Sequence, residues 1–529
     1  MPTADYRPIL FLTILTLALV GCSKPQRDPS QMQLILEHDV PTLDPALSTG
    51  TNSGKVVALL FSNLVIYDEN GSVEPELAST WTISDDARTY VFQLRKDASF
   101  SRGRPVTSGD VSYSIHRVLT PATKSPRTWV FDRLKGAKQF VEGESKVIEG
   151  VSTPDPHELV LTLAEPFAPF LGFLAMPAAA IVDREAVERE GDSFGRKPMG
   201  SGPYMLEEWV MIRKITLKRN PHSHTKTKLD GVTFRVMNEP FTYSTEFKVG
   251  NLDMIPLPYS EEEFFGEHPV WKEQILSRPG LNTYFIGLNC KKGPCSKAEL
   301  RKAICHAINT KLIVETTRKN QAVRAKGPIP PGLAGHDPEF QGIEYSTEKA
   351  REFLKKSGYE EGIELRLLQD DRNENLEVTQ LVVSSLAQIG IKVKLCPMEW
   401  GVYTSRINEG EFDMYYRSWL ADYTDAENFL FPLFHSSQAG SAGNRPRYSI
   451  EKVDEMIERA QGMIDENKRL ALYRKIQRRV VNDCAYAFLF HKLERVVIQP
   501  WLKNFVLYPV FNSYKYDEVY LDEDILNDR

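Results

Sequence analysis

Ile363-Glu364-Leu365-Arg366-Leu367 alternates apolar and charged side chains, and Ile391-Lys392-Val393-Lys394-Leu395 does the same. A period of two sends one set of side chains to a buried face and the other to solvent, which is the pattern of a strand. Between them, 376–389 carries apolar residues at helical spacing until Gly390 closes it. Strand, helix and strand form a βαβ unit, whose crossover is right-handed and whose strands lie parallel in one sheet. This stretch makes the chain α/β.

Working outward, Ala350, Phe353 and Leu354 mark a helix that stops at Gly358, and 412–416 reads as a strand followed by a loop rich in Asp and aromatic residues. Two helices follow between 451 and 481. Toward the N-terminus, short runs at 33–36, 41–45, 64–67 and 90–94, punctuated by Asp68-Glu69-Asn70-Gly71, read as strands and hairpins. Thr107-Ser108-Gly109-Asp110 is a helix-start signal, with Val111, Ile115, Val118 and Leu119 on one face and an end before Pro121. Leu159, Leu161 and Leu163 alternate as another strand. No internal repeat appears.

The 529 residues correspond to about three domains at roughly 150 residues each. Apolar residues make up 42% and charged residues 26%, the composition of a globular protein with large cores. Lys plus Arg number 65 against 71 for Asp plus Glu, a net charge of -6, so the balance argues against nucleic acid as a partner.

Arg7 precedes an apolar run over 9–20, too short for the roughly 20 residues that cross a bilayer and suited to a signal peptide. Leu19-Val20-Gly21-Cys22 resembles the lipobox of bacterial lipoproteins, which makes Cys22 the expected acylated residue. Residues 1–21 are then the signal peptide and 22–30 a lipidated tether, with Pro25 and Pro29 discouraging regular structure. The expected location is outside the cytoplasmic membrane, periplasmic or on the cell surface, anchored through Cys22.

Five cysteines remain: Cys290, Cys295, Cys305, Cys396 and Cys484. In an exported chain the turn between Cys290 and Cys295 makes a local disulfide the plain reading, left open here. Cys305 with His306 adds no recognisable zinc spacing, so no metal is expected. Gly200-Ser201-Gly202 follows Met199 and is not a nucleophile elbow. His222 and His224 lie in a polar loop, and neither a zinc-protease, a phosphate-loop nor a dinucleotide motif occurs. The reading is a protein with no catalytic residues and no cofactor, not an enzyme.

The informative segment is Arg417-Ser418-Trp419-Leu420-Ala421-Asp422-Tyr423-Thr424-Asp425-Ala426-Glu427-Asn428-Phe429-Leu430. It puts carboxylates and aromatics just past a strand's end, where open α/β sheets bind ligands. A carboxylate there suits a cationic group, with Trp419 and Tyr423 excluding water.

This segment resembles the signature of the family 5 extracellular solute-binding proteins, the oligopeptide- and dipeptide-binding lipoproteins of bacterial ABC importers. Pro41-Thr42-Leu43-Asp44-Pro45 resembles the family's opening strand. The block with Arg95-Lys96, Phe100, Gly103, Pro105-Val106-Thr107 and Asp110-Val111 agrees in order and spacing, as do Gly202-Pro203-Tyr204, 217–221, 300–309 and 328–331. The resemblance implies a two-lobed clamp of the class II periplasmic-binding-protein type with an extra α+β domain in the first lobe. Lobe one would comprise 31–61, 185–282 and 493–529, the extra domain 62–184, and lobe two 283–492, with hinge crossings near 282 and 493.

The resemblance further implies a monomer that delivers short peptides to an inner-membrane ABC permease. Asp422 would receive the peptide's α-ammonium. Ser418 and Leu420 would offer backbone to the peptide as an added strand, while Trp419, Tyr423, Trp400, Thr49, Gly50 and Thr51 would line the cleft. Some relatives hold the peptide's carboxylate with an Arg at the register of Tyr416. Here the Arg stands one place later, at Arg417, on the opposite strand face, and Arg406 is a second candidate. The alternative is the same fold holding a non-peptide solute, such as a metal chelate, haem or sugar, or a murein peptide.

Overall fold

The computed structural model describes residues 28–319 and 321–527. The expected signal peptide, Cys22 and the tether up to residue 27 lie outside the described residues. Among the described residues no helix is long and apolar enough to cross a membrane.

Three main sheets organise the chain. In the first, Gln31–Leu36 pairs in parallel with Gly231–Val236, which continues antiparallel into Lys214–Arg219 and Tyr204–Val210. The second is antiparallel and runs Ala78–Ile83, Thr89–Leu94, Glu158–Thr162, Val151–Asp155. The third has eight strands and contains the βαβ unit: Ile363–Asp370 and Ile391–Met398 pair in parallel from Ile363 opposite Ile391, joined through the helix Asn373–Ala387. The α/β class read from that stretch holds.

The strand Tyr486–Ile498 links regions of the chain. Its first half pairs with Asn282–Leu288, and its second half with Ile275–Pro279 and Met254–Pro256. The crossing expected near 493 therefore falls inside one continuous 13-residue strand.

The helix Ser108–Leu119 starts with the capping box that the sequence signals, Thr107 with Asp110. The helix Thr347–Lys356 stops at Gly358, whose φ of +80° favours glycine. Leu159 and Leu161 turn inward from Glu158–Thr162 as their alternation requires.

Three expectations need correction. Pro41-Thr42-Leu43-Asp44-Pro45 is not a strand. Two prolines lack the N–H a ladder needs, the Asp44 carbonyl accepts from Leu47 and Ser48, and its carboxylate is clamped by both Arg117 nitrogens at 2.5 and 2.8 Å. The strand after the βαβ unit, Met414–Leu420, runs four residues beyond 416, and a helix Glu427–Phe434 follows the bend where a loop was expected. Cys290 and Cys295 are free thiols. Cys295 is buried in the core that contains Ile286 and Leu300, while Cys290 packs on the core that contains Phe285 and Tyr415.

The core around the second sheet is continuous with side chains that follow the 414–420 strand. Tyr67, Phe170 and Phe173 join Tyr423, Phe429 and Leu433 in one apolar cluster. Burying such rings contributes roughly 1.5–3 kcal/mol each, which binds the 62–184 region to the segment that bears Asp422.

Candidate functional site

The site is built on the strand Met414–Leu420. On one side it pairs along its full length with Asn282–Leu288. On the other, Ile363–Asp370 reaches only Met414 and Tyr415. Among the described residues, 416–420 thus has an open backbone edge there, with Ser418 and Leu420 on it; the Tyr416 carbonyl accepts from the Tyr403 hydroxyl.

Past the strand, the chain is turned by Asn428. Its side-chain oxygen accepts from the Asp422 N–H at 3.2 Å and from the Trp419 indole at 3.3 Å. Asn428 is itself 2% exposed, so the bend is fixed from beneath. Tyr423 is buried, its ring 4.7 Å from that of Phe173 and its hydroxyl donating to Glu427. The Thr424 hydroxyl donates to the Gly71 carbonyl at 2.8 Å, and its backbone N–H donates to the Tyr67 hydroxyl oxygen at 3.3 Å. These contacts leave the Asp422 side chain 29% accessible, with its carboxylate 3.8 Å from the Arg127 guanidinium. Burial raises the Asp422 carboxyl above the usual carboxylate range, and Arg127 opposes that rise.

Arg127 belongs to the 62–184 region. Its other terminal nitrogen donates to the Thr49 carbonyl at 2.9 Å, and its charge lies 5.8 Å from the Trp129 ring. Thr49 and Gly50 are exposed, and Gly50 is the N-cap of the helix Thr51–Leu60, which no strand or turn signal had marked. A Cβ on Gly50 would meet nothing within 4 Å, so that loop offers backbone to open space. Thr51, Asn52 and Lys55 share a cavity of about 320 Å³ with Leu420, Ala421, Tyr284 and Lys492. That volume lies at the small end of the range for small-ligand sites, about 300–1,000 Å³.

Trp400, 49% exposed, opens the helix Trp400–Glu409, whose start is capped by the Glu399 carboxylate on the N–H groups of Gly401 and Val402. Arg417 lies 4.9 Å from the Trp400 ring. Burial lowers the Arg417 pKa, nearby Arg445 adds to that, and its buried Nη1 has no hydrogen-bond partner. Among the described residues no carboxylate forms an ion pair with Arg417. Arg406 is exposed on the same helix as Trp400, with no ion pair among the described residues. The structure thus brings Leu420 and Thr51 to one cavity, links Asp422 to Thr49 through Arg127, leaves Ser418 on the open strand edge, brings Arg417 to Trp400, and leaves Arg406 outside. No group of three or more His, Cys, Asp or Glu suited to a metal ion occurs among the described residues.

Sequence reasoning missed Arg127 and Asn428. Arg127 follows Ser125-Pro126 in a polar loop with no periodicity, and its partners are distant in the chain. Asn428 lay inside the quoted segment, where its side chain was indistinguishable from a solvated one.

Comparison with known proteins places this geometry. The profile of bacterial extracellular solute-binding proteins, family 5 (middle region), matches residues 72–441. A protein of Escherichia coli K12 described as the probable D,D-dipeptide-binding periplasmic protein DdpA is 29% identical over 493 residues, covering 90% of this chain and 91% of the relative. The structure of the Escherichia coli murein tripeptide binding protein MppA superposes with a TM-score of 0.80 at 27% identity, covering 93% of this chain and 98% of the other. The Helicobacter pylori periplasmic binding protein DppA in complex with the peptide STSA gives 0.79 at 28% identity, with the same coverage.

Proposed function

Because the chain belongs to the bacterial extracellular solute-binding proteins of family 5, we propose that it captures short peptides and passes them to an inner-membrane ABC permease. The observation that carries this reading is the Asp422 carboxylate, held at a gap beside the open edge of Met414–Leu420 and facing Arg127 and the 49–51 loop. An α-ammonium and a carboxylate form a charge-assisted hydrogen bond, stronger where water is excluded. The peptide backbone would add to the edge at Ser418 and Leu420, giving affinity that depends little on side chains. The MppA and DppA neighbours, one a murein tripeptide binding protein and the other in complex with a peptide, support the same solute class.

In this reading Trp419 and Trp400 wall the site, Tyr423 supports it from the core beneath rather than lining it as expected, and Thr49, Gly50 and Thr51 close it from the opposite side. Arg417 receives the peptide's carboxylate or an acidic side chain, because its charge is buried without a counter-ion. Lobe one (31–61, 185–282, 493–529) closes on lobe two (283–492) about the crossings near 282 and 493, with 62–184 as an additional domain. The protein acts as a monomer, held to the membrane through acylated Cys22.

Native mass spectrometry of the gently purified protein tests the solute class. Bound masses that fragment as short peptides are expected; a haem, metal chelate or sugar carried instead would overturn the reading. Metabolic labelling with an alkyne fatty acid tests the anchor: label should follow the wild type and be lost in Cys22→Ala.

A further inference from the structure

Cys305 lies in the last turn of the helix Ala298–Ala307, and Cys484 lies between the helix Glu466–Asn482 and the strand Tyr486–Ile498. Arg301, one turn before Cys305 on the same helix face, donates through Nη2 and Nε to the Asp483 carbonyl at 3.1 and 3.4 Å. That pins the helix against residue 483, and the next side chain on the face, Cys305, is brought to the 484–486 segment. The neighbouring Cys484 thiol, together with burial, raises the Cys305 pKa. The Cys305 thiol also donates to the Tyr486 carbonyl at 3.8 Å, and Cys484 to Val481 and Asn482 at 3.6 Å each.

Both thiols sit in one apolar core, 8% and 1% exposed, with Cys484 at the wall of a cavity of about 1250 Å³. The remaining thiols are placed differently. Cys295 is buried on its own turn, and Cys396 donates to the Lys394 carbonyl on the strand Ile391–Met398. Cys290 lines the same cavity as Cys484 but packs on the other core.

We propose that Cys305 and Cys484 form a disulfide in the exported protein, closing the first helix of the 283–492 region onto the strand that leaves it. The oxidant is a disulfide, either of a thiol oxidase protein or of oxidised glutathione. The Cys484 thiolate, reached through the cavity, attacks one sulfur of that disulfide and releases the other as a thiolate. The Cys305 thiolate then attacks the Cys484 sulfur and expels the second thiolate. Two cysteine thiols lose two electrons and two protons, and the acceptor disulfide gains both.

The proposal requires an oxidising compartment and so rests on the extracellular placement of the family. Two preparations separate the two dependencies: protein exported to a bacterial periplasm and trapped with N-ethylmaleimide before lysis, and purified reduced protein treated with oxidised glutathione. Each is digested with trypsin without reductant. In both, peptides 303–311 and 480–492 should emerge as one linked species that separates with dithiothreitol, and Cys290→Ser should retain it. Free thiols at 305 and 484 in both preparations, or 480–492 linked to the peptide bearing Cys290, overturn the pairing. Linkage only in the glutathione-treated sample overturns its formation on export.

Discussion

The Arg127 guanidinium stands 3.8 Å from the Asp422 carboxylate and at the same time donates to the Thr49 carbonyl at 2.9 Å. One cation from the 62–184 region thus touches the carboxylate at the end of one strand and the backbone of the loop facing it. Asp422 is accordingly neither a solvated surface acid nor a closed structural ion pair: its partner is loose, and its side chain opens on the gap.

Removing that cation should move the acid limb of peptide binding. Burial raises the Asp422 pKa and Arg127 lowers it, so Arg127→Ala raises it further. Only the ionised carboxylate attracts an ammonium, so affinity for a free-amine peptide falls as pH drops through this pKa. In Arg127→Ala the fall should begin at higher pH than in the wild type, measured by titration calorimetry from pH 4 to 8. Superimposable pH profiles would show that Arg127 does not act on Asp422.

Asp422→Asn should separate binding from stability. A carboxyl whose folded pKa exceeds its unfolded value binds protons more tightly when folded, so stability falls as pH rises from the unfolded toward the folded pKa. At neutral pH the ionised Asp422 therefore costs stability, and its amide should unfold no earlier than the wild type. Peptide affinity should drop at least about a hundredfold, from the roughly 3–5 kcal/mol lost when one partner of a buried charge pair goes. A lower melting temperature with unchanged affinity would assign the residue a structural role.

Glu427 supplies a second pH signature. It is 1% exposed, and burial pushes its pKa from 4.5 to about 7, against bonds from Tyr423 and Gln461. Stability is fully present below about pH 4.5 and declines as pH rises toward about 7. Glu427→Gln should flatten that decline and melt higher than the wild type at pH 8. A steeper decline would reverse the sign assigned to this group.

Gly287 lies opposite Tyr415 on the neighbouring strand, and a Cβ there would fall 2.2 Å from the Tyr415 ring. With the ring buried against Phe285 and Phe412, the clash has no open direction to relax into. Gly287→Ala should destabilise by about 1–3 kcal/mol, as overpacked core substitutions do, read from the denaturant midpoint.

Legibility followed the range of the interactions. The βαβ unit was readable because Ile363, Leu365, Leu367 and their counterparts at 391–395 encode burial within a few residues of themselves. The capping box at Thr107 and Asp110 and the stop at Gly358 are local for the same reason. The helix Thr51–Leu60 escaped because Gly54 and the small polar residues that open it carry no helical signal; Gly54 is there to fit the Phe511 ring, which a Cβ would meet at 2.2 Å. Asp422 stands out in the sequence through the motif it shares with the family, whereas Arg127 comes beside it only by tertiary packing of Trp129, Phe173 and Tyr423.

The most direct measurement is titration calorimetry of one tripeptide with a free amine and of its N-acetylated twin, against the wild type and Asp422→Ala. If Asp422 holds the α-ammonium, the wild type binds the free-amine form and rejects the acetylated one, and Asp422→Ala binds neither. Equal affinity of the wild type for the two peptides would contradict the account.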